Sequence, residues 1–447
     1  MDKSLREHTR MTESPVARLV LSLSLPAVVA NLMTSIYNMA DTYFVSSLGD
    51  SAVGAVGIVY SLQSIIQAVG FGIAMGSSSL ISRNLGAKKN GEANKYASSS
   101  FYMAMLCGAI IMAICFINLE GMLWLFGSTK TIMPYAVSYS SVILLAAPFS
   151  CALYVINQAL RAEGKATFSM ISMLVGGIVN IILDPIFIFN CNMGGMGAAL
   201  ATSLSQLINF AISMSFYLSG KSIISLSPKN ISRVPRDYLL VFKTGAPTVL
   251  RQGLGSLSTT LLNVSVKPFG DSAIAAVSLA NKIYMLLRGV ILGVGQGYQP
   301  VSGFNFGAKK YERVKKSFYV TCIMGSIIAV TAASLMAIFP AEIMAFFRDN
   351  SPEVVRIGSK MLRFLAISLP FLAYSSYVNM TYQCLGFVKG ASFLAACRQG
   401  IFFVPMLLIL SLIFGLDGIL AVQATADLLT FVISIPFHQY FFRKNLA

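Results

Sequence analysis

Two aspartates sit where the chain is otherwise apolar. Asp41 lies in "NLMTSIYNMADTYFV" and Asp184 in "NIILDPIFIF". An ionisable group inside a membrane-length apolar run costs roughly 2.5–3.5 kcal/mol on insertion scales, so each needs a reason. Thr34, Tyr37 and Asp41 share one helical face, and Gly177, Asn180 and Asp184 share another, with Met173 one turn earlier. Ala198, Thr202 and Ser205 form a third stripe. Together these stripes offer two carboxylates, an amide, a phenol and a hydroxyl. Two carboxylates close together in a low dielectric cannot both stay charged cheaply. Either one takes up a proton or a cation settles between them, and both outcomes make an ion-coupling site. The bland alternatives are acids hydrogen-bonded to hold helices together, or an Asp41 wetted at a helix end.

The elements that must position these residues are membrane spans. The chain of 447 residues is 56% hydrophobic and only 11% charged, and its mean hydropathy is +0.72. Apolar runs long enough to cross a core of about 30 Å recur throughout. Twelve spans are expected, at 16–45, 52–82, 96–118, 132–160, 166–190, 196–220, 239–266, 273–303, 317–341, 354–386, 390–414 and 418–442. With the N-terminus inside, 22 Lys and Arg fall on cytoplasmic segments. Only Lys130, Lys267, Arg348 and Arg356 fall outside. That asymmetry predicts both termini in the cytoplasm of a cell-membrane protein. Spans 1 and 5 then both run outward and place Asp41 and Asp184 at similar depth in the outer half.

The net charge of +16 suggests nucleic acid, but its distribution in short loops argues against that reading. The seven cysteines show no metal spacing, and His8 and His438 lie near the chain ends. No His-Glu-x-x-His, serine elbow or acidic metal motif is present, so an enzyme is not expected. "GVGQG" at 293–297 follows no strand and reads as a close-packing helix segment, not a phosphate loop.

The chain repeats itself. Asn-x-Gly-Ala-Lys-Lys occurs at 84–89 and again at 305–310, and "GDSAVGAV" at 49–56 matches "GDSAIAAV" at 270–277, always 221 apart. Gly72 meets Gly293, Gly76 meets Gly297 and Pro26 meets Pro247 in the same register. The expected fold is therefore an all-α integral membrane protein with twelve transmembrane helices in two six-helix lobes. The repeats are parallel, about a pseudo-two-fold axis along the membrane normal. The expected boundaries are an N-lobe at 1–220, a cytoplasmic linker at 221–238 and a C-lobe at 239–447. The acids were not duplicated. Leu262 stands opposite Asp41 and Gln423 opposite Thr202, while Asp184 faces an apolar stretch at 404–410. The second lobe instead carries Arg251, Lys282, Arg288 and Arg398 with one acid, Asp427. Salt-bridged packing and contact with a substrate anion are both open there.

"SLPAVVANLMTSIYNMADTYFV" at 24–45, "SRNLGAKK" at 82–89, "NQALRAEGKA" at 157–166 and "NIILDPIFIF" at 180–189 resemble the multidrug and toxic compound extrusion family, in its DNA-damage-inducible and Mep-type branch. The resemblance covers essentially the whole chain. It implies a membrane antiporter, without cofactor, that exchanges H⁺ or Na⁺ for lipophilic, often cationic drugs. It implies an ion site of Asp41, Asn180, Asp184 and Thr202, which would also ligate Na⁺, with Tyr37 and Asn157 in its polar network. It also implies that Pro26 bends span 1 as protonation changes. Tyr37, Asn157 and Met173 are the candidate drug contacts, although Asn157 reads as closer to the cytoplasm than Asp41. Spans 7 and 10 lack the acid that would make a second-lobe cation site. A monomer working among membrane lipids is expected. The alternative is a lipid-linked precursor flippase whose basic second lobe holds a pyrophosphate.

Overall fold

A computed structural model describes residues 3–48, 50–347 and 351–446. Gly49 and Arg348, both used above, lie outside the described residues. The described residues form helices and no strand. In chain order the α-helices are α1 (Lys3–Glu13), α2 (Val16–Ser46), α3 (Asp50–Gly86), α4 (Asn90–Ile117), α5 (Leu119–Leu125), α6 (Met133–Ala162), α7 (Ala166–Pro185) and α8 (Gly194–Leu218). They continue as α9 (Pro235–Val266), α10 (Asp271–Gly307), α11 (Tyr311–Ile338), α12 (Pro340–Phe347), α13 (Pro352–Cys384), α14 (Val388–Ala396) and α15 (Phe403–Asn445). Short π-helical turns, Ile186–Asn190 and Cys397–Ile401, follow α7 and α14.

Ten described segments are long and apolar enough to span a membrane. One of them, Val388–Asn445, is 58 residues long and breaks at Gly415, whose φ of 56° is left-handed, so it is two spans. The twelfth span is α9. Its 32 residues include Lys243, Arg251 and Gln252, which keep it below an ordinary span's hydropathy. The chain is thus a multi-pass, all-helical membrane protein with twelve spans, as the apolar runs indicate.

The chain forms two compact units. Unit 1 comprises Met1–Met11 and Val29–Val249, and unit 2 comprises Thr12–Val28 and Leu250–Ala447. α2 and α9 are therefore each divided between units. Both divisions fall two residues after a proline, Pro26 in α2 and Pro247 in α9, and they are 221 residues apart, like the sequence repeat. A helix-interior proline removes a backbone donor and lets the helix bend there.

The repeated glycines explain how each half-helix is held. Within unit 1, Gly72 and Gly76 of α3 receive the start of α9. A Cβ at Gly76 would lie 2.2 Å from the Val241 carbonyl oxygen, and one at Gly245 would lie 2.0 Å from that of Gly72. Within unit 2, Gly293 and Gly297 of α10 receive the start of α2. A Cβ at Gly297 would lie 2.3 Å from the Ser24 backbone nitrogen, and Ser24 Oγ donates to the Val294 carbonyl at 3.0 Å. Backbones this close require small residues at the seam. Gly297→Leu should cost about 3 kcal/mol, the upper end of overpacking, read as a lower apparent melting temperature in detergent.

The Gly-Ala-Lys-Lys loops are helix ends. Lys88 and Lys309 have φ of 59° and 58°, and each closes its helix with matching bonds. Lys89 N donates to the Asn84 carbonyl and Lys310 N to the Asn305 carbonyl, both at 2.8 Å. In unit 2 the second loop also holds the incoming chain. Lys310 Nζ donates to the Thr12 carbonyl and Arg313 Nη2 to the Ser14 carbonyl.

Candidate functional site

The acids converge in unit 1. α7 carries Asn180 and Asp184 four residues apart on one face, and Pro185 ends the regular α-helix and opens the π-helical turn that follows. Asn180 Nδ2 donates to Asp184 Oδ1 and to Thr202 Oγ1 of α8, both at 3.4 Å. Asn180 and Asp184 are fully buried, and Asp41 on α2 is half-buried within electrostatic range of Asp184. Tyr37 lies beside Thr34 and within range of Asp41, and its ring packs on Gly177 of α7, where a Cβ would lie 3.3 Å away. One turn further along α2, Phe44 meets Phe189 edge to face with centroids 6.4 Å apart. The expected grouping of Asp41, Asp184, Asn180, Thr202 and Tyr37 is thus brought together in space.

The distinctive feature is a surplus of acceptors. Asp41 Oδ1, Asn180 Oδ1 and Asp184 Oδ2 are buried without a hydrogen-bond donor. Buried acceptors without donors are costly, and carboxylates especially so. A proton, or a hard cation with oxygen ligands, answers that demand. The oxygens of Asp41, Asn180, Asp184 and Thr202 suit either one. Among the described residues no group of three or more His, Cys, Asp or Glu could hold a metal.

Two members went unnoticed in the sequence. Tyr139 of α6 is buried, bonds with Thr202 and Gln63 of α3, and lies in range of both carboxylates. The depth arithmetic that aligned Asp41 with Asp184 would have found it, since Tyr139 stands about 10 Å from the N-terminal end of α6.

Asn157 and Met173 lie elsewhere. Ser169 Oγ and Ser172 Oγ donate to Asn157 Oδ1 at 3.0 and 3.3 Å, and Arg161 bonds Ser169 Oγ and Met173 Sδ. Ser172 is about 12 Å along α7 from Asn180. This second polar cluster sits towards the loop at 163–165, away from the end of α7 that carries Asp184. Pro26 belongs to unit 2, at the division of α2.

Glu163, in that loop, is fully buried. Ser222 Oγ donates to its carboxylate at 2.8 and 3.0 Å, and Ile223 N donates at 2.9 Å. Burial pushes its carboxyl up to about 7, with these bonds and Lys165 pulling it partly back. Folded Glu163 keeps a proton that the unfolded chain releases near 4.5. Its stabilisation is therefore full below that pH and is lost as pH rises through about 7. The loss is up to about 3 kcal/mol. Melting at pH 5 and pH 8 should show this slope in the wild type, and Glu163→Gln should flatten it.

Twelve spans in two duplicated units, with an acid pair in one unit only, define a transporter class of membrane protein. The MatE family signature matches residues 26–186 and 247–409. The chain is 27% identical to the multidrug export protein MepA of Staphylococcus saprophyticus over 410 residues, 91% of this chain and 90% of that one. It is 26% identical to the MepA of Staphylococcus haemolyticus over 409 residues, with the same coverage. Its fold matches the crystal structure of MATE in complex with MaL6, with a TM-score of 0.93 and 22% identity over 98% of both chains. It also matches an outward-facing multidrug resistance MATE family transporter of the MOP superfamily, with a TM-score of 0.92 and 23% identity over 98% of both chains. The chain belongs to the MatE family and is a transporter, not an enzyme.

Proposed function

We propose that this transporter is a multidrug efflux antiporter, exchanging H⁺ or Na⁺ for lipophilic, often cationic drugs by alternating access. The observation that carries the reading is the set of three buried acceptor oxygens without donors on Asp41, Asn180 and Asp184. The relatives named multidrug export protein MepA support the substrate class. In this reading the protein sits as a monomer in the cell membrane with both termini cytoplasmic, and the ion enters from outside.

Proton uptake at the pair converts an acceptor into a donor, and Na⁺ would instead bind the four oxygens directly. Either event changes what holds the outer half of α2. That half belongs to unit 1, whereas the half with Pro26 belongs to unit 2, so Pro26 is the natural point for α2 to bend. Exchange of one proton for one monovalent cation moves no net charge. A pH difference of one unit then supplies about 1.4 kcal/mol per proton. Each further charge moved adds about 2.3 kcal/mol per 100 mV.

The test is drug movement in proteoliposomes of the purified chain under a proton gradient alone and a sodium gradient alone. One gradient should drive accumulation of a cationic dye that collapses with an ionophore for that ion. Equal dye flux with and without either gradient would overturn the reading.

A further inference from the structure

Unit 2 carries its own buried polar centre, opposite in sign to that of unit 1. Arg398, on the π-helical turn after α14, donates from Nε to Asp427 Oδ1 at 2.7 Å and from Nη2 to the Tyr284 hydroxyl at 3.0 Å. Gln423 Nε2 donates to Asp427 Oδ1 at 2.9 Å, and Tyr284 and Ser368 donate to Oδ2. Asp427 therefore has two donors on each oxygen, and its charge is spent on Arg398.

Two more guanidinium groups share the neighbourhood. Arg251 of α9 lies within electrostatic range of Arg398, and Arg288 of α10 within range of Arg398, Arg251, Tyr284 and Asp427. Both are half-buried, and Arg288 Nε is buried without a partner. Among the described residues neither makes an ion pair. Three arginines thus answer to one carboxylate. A partly desolvated guanidinium without a counter-charge is unfavourable, and neighbouring like charges add to that. Salt-bridged packing accounts for Arg398 alone.

The duplication sharpens the contrast. At the 221-residue offset, Tyr284 occupies the place of Gln63, and Gln423 the place of Thr202, two residues of the unit 1 acid site. The same scaffold positions hold an acidic centre in one unit and a basic one in the other.

We propose that Arg251 and Arg288 form an anion site in unit 2 that takes the carboxylate or phosphate of an amphiphilic molecule. Guanidinium forks suit such planar or tetrahedral oxyanions, and Arg398, closed on Asp427 and Tyr284, leaves Arg251 and Arg288 as the two uncompensated groups. The amphiphile is either a transported molecule bearing an acid or an anionic lipid, which share this chemistry.

The test uses equilibrium binding, so it stands apart from the efflux reading. Two probes are titrated into the full chain in nanodiscs of zwitterionic lipid: a xanthylium dye with a free carboxylate, and its methyl ester. Wild type should bind the carboxylate dye at least tenfold more tightly than Arg251→Gln/Arg288→Gln, while the ester binds both within twofold. Arg251→Lys/Arg288→Lys, which keeps the charges and loses the forks, should fall between. On the wild-type chain a soluble aromatic carboxylate and a short-chain anionic phospholipid are each added as competitors. Displacement of the carboxylate dye by the first marks a cargo site, and displacement by the second alone marks a lipid-headgroup site. No displacement by either, or equal carboxylate-dye affinity in the wild type and a Gln variant that still binds the ester, overturns the proposal.

Discussion

Asp184→Asn and Asp41→Asn should each abolish gradient-driven efflux while leaving the protein folded. The substitution is nearly isosteric and removes the titratable charge. It also exchanges an unpartnered acceptor, Asp184 Oδ2 or Asp41 Oδ1, for an NH₂. Each variant should therefore resemble the proton-loaded site and stay there, with a melting temperature at or above that of wild type. The loss appears in coupling. For each proton removed from the cycle, the drug gradient sustained by a one-unit pH difference falls by about tenfold. Asn180→Ala should weaken transport less, because it removes the amide that ties Asp184 to Thr202 and leaves both carboxylates. The measurement is steady-state dye accumulation in proteoliposomes at a fixed pH or sodium difference. Wild-type accumulation in both aspartate variants would remove this pair from the coupling mechanism.

Asp427→Ala should be the most destabilising single substitution in unit 2. Asp427 is fully buried and is the direct partner of Arg398, itself only 6% exposed. Its removal leaves Arg398 uncompensated beside Arg251 and Arg288 and strips the acceptor from Tyr284, Gln423 and Ser368. Breaking one partner of a buried pair costs about 3–5 kcal/mol. The expected result is poor recovery from membranes and a large drop in apparent melting temperature. Arg398→Met/Asp427→Leu should regain most of that stability, since the charge and its partner leave together. A wild-type melting curve for Asp427→Ala would show that Asp427 does not neutralise this centre.

Much of this was legible in the chain itself. Span number, the 221-residue duplication and the restriction of the acid pair to one repeat follow from hydropathy, register and residue type. These are one-dimensional properties, and a bilayer enforces them strongly because every spanning backbone must satisfy itself as a helix. The acid site was readable because Asn180 and Asp184 are on one helix face, and because depth along neighbouring spans can be counted at 1.5 Å per residue.

Depth does not give rotation about the helix axis, and that is where tertiary structure decided the rest. Tyr139 and Gln63 join the site through the facing of α6 and α3, whereas Asn157 turns to Ser169 and Ser172. The paired prolines and glycines were visible as a repeat. Only the packed units show that half of α2 lies in unit 2 and half of α9 in unit 1, each on a glycine seam. The four basic residues of the second repeat read alike in sequence. In space Lys282 is exposed, Arg398 is closed on Asp427, and Arg251 and Arg288 keep their charge unspent. Which charges cancel depends on distances between helices far apart in sequence, and local composition carries no record of those distances.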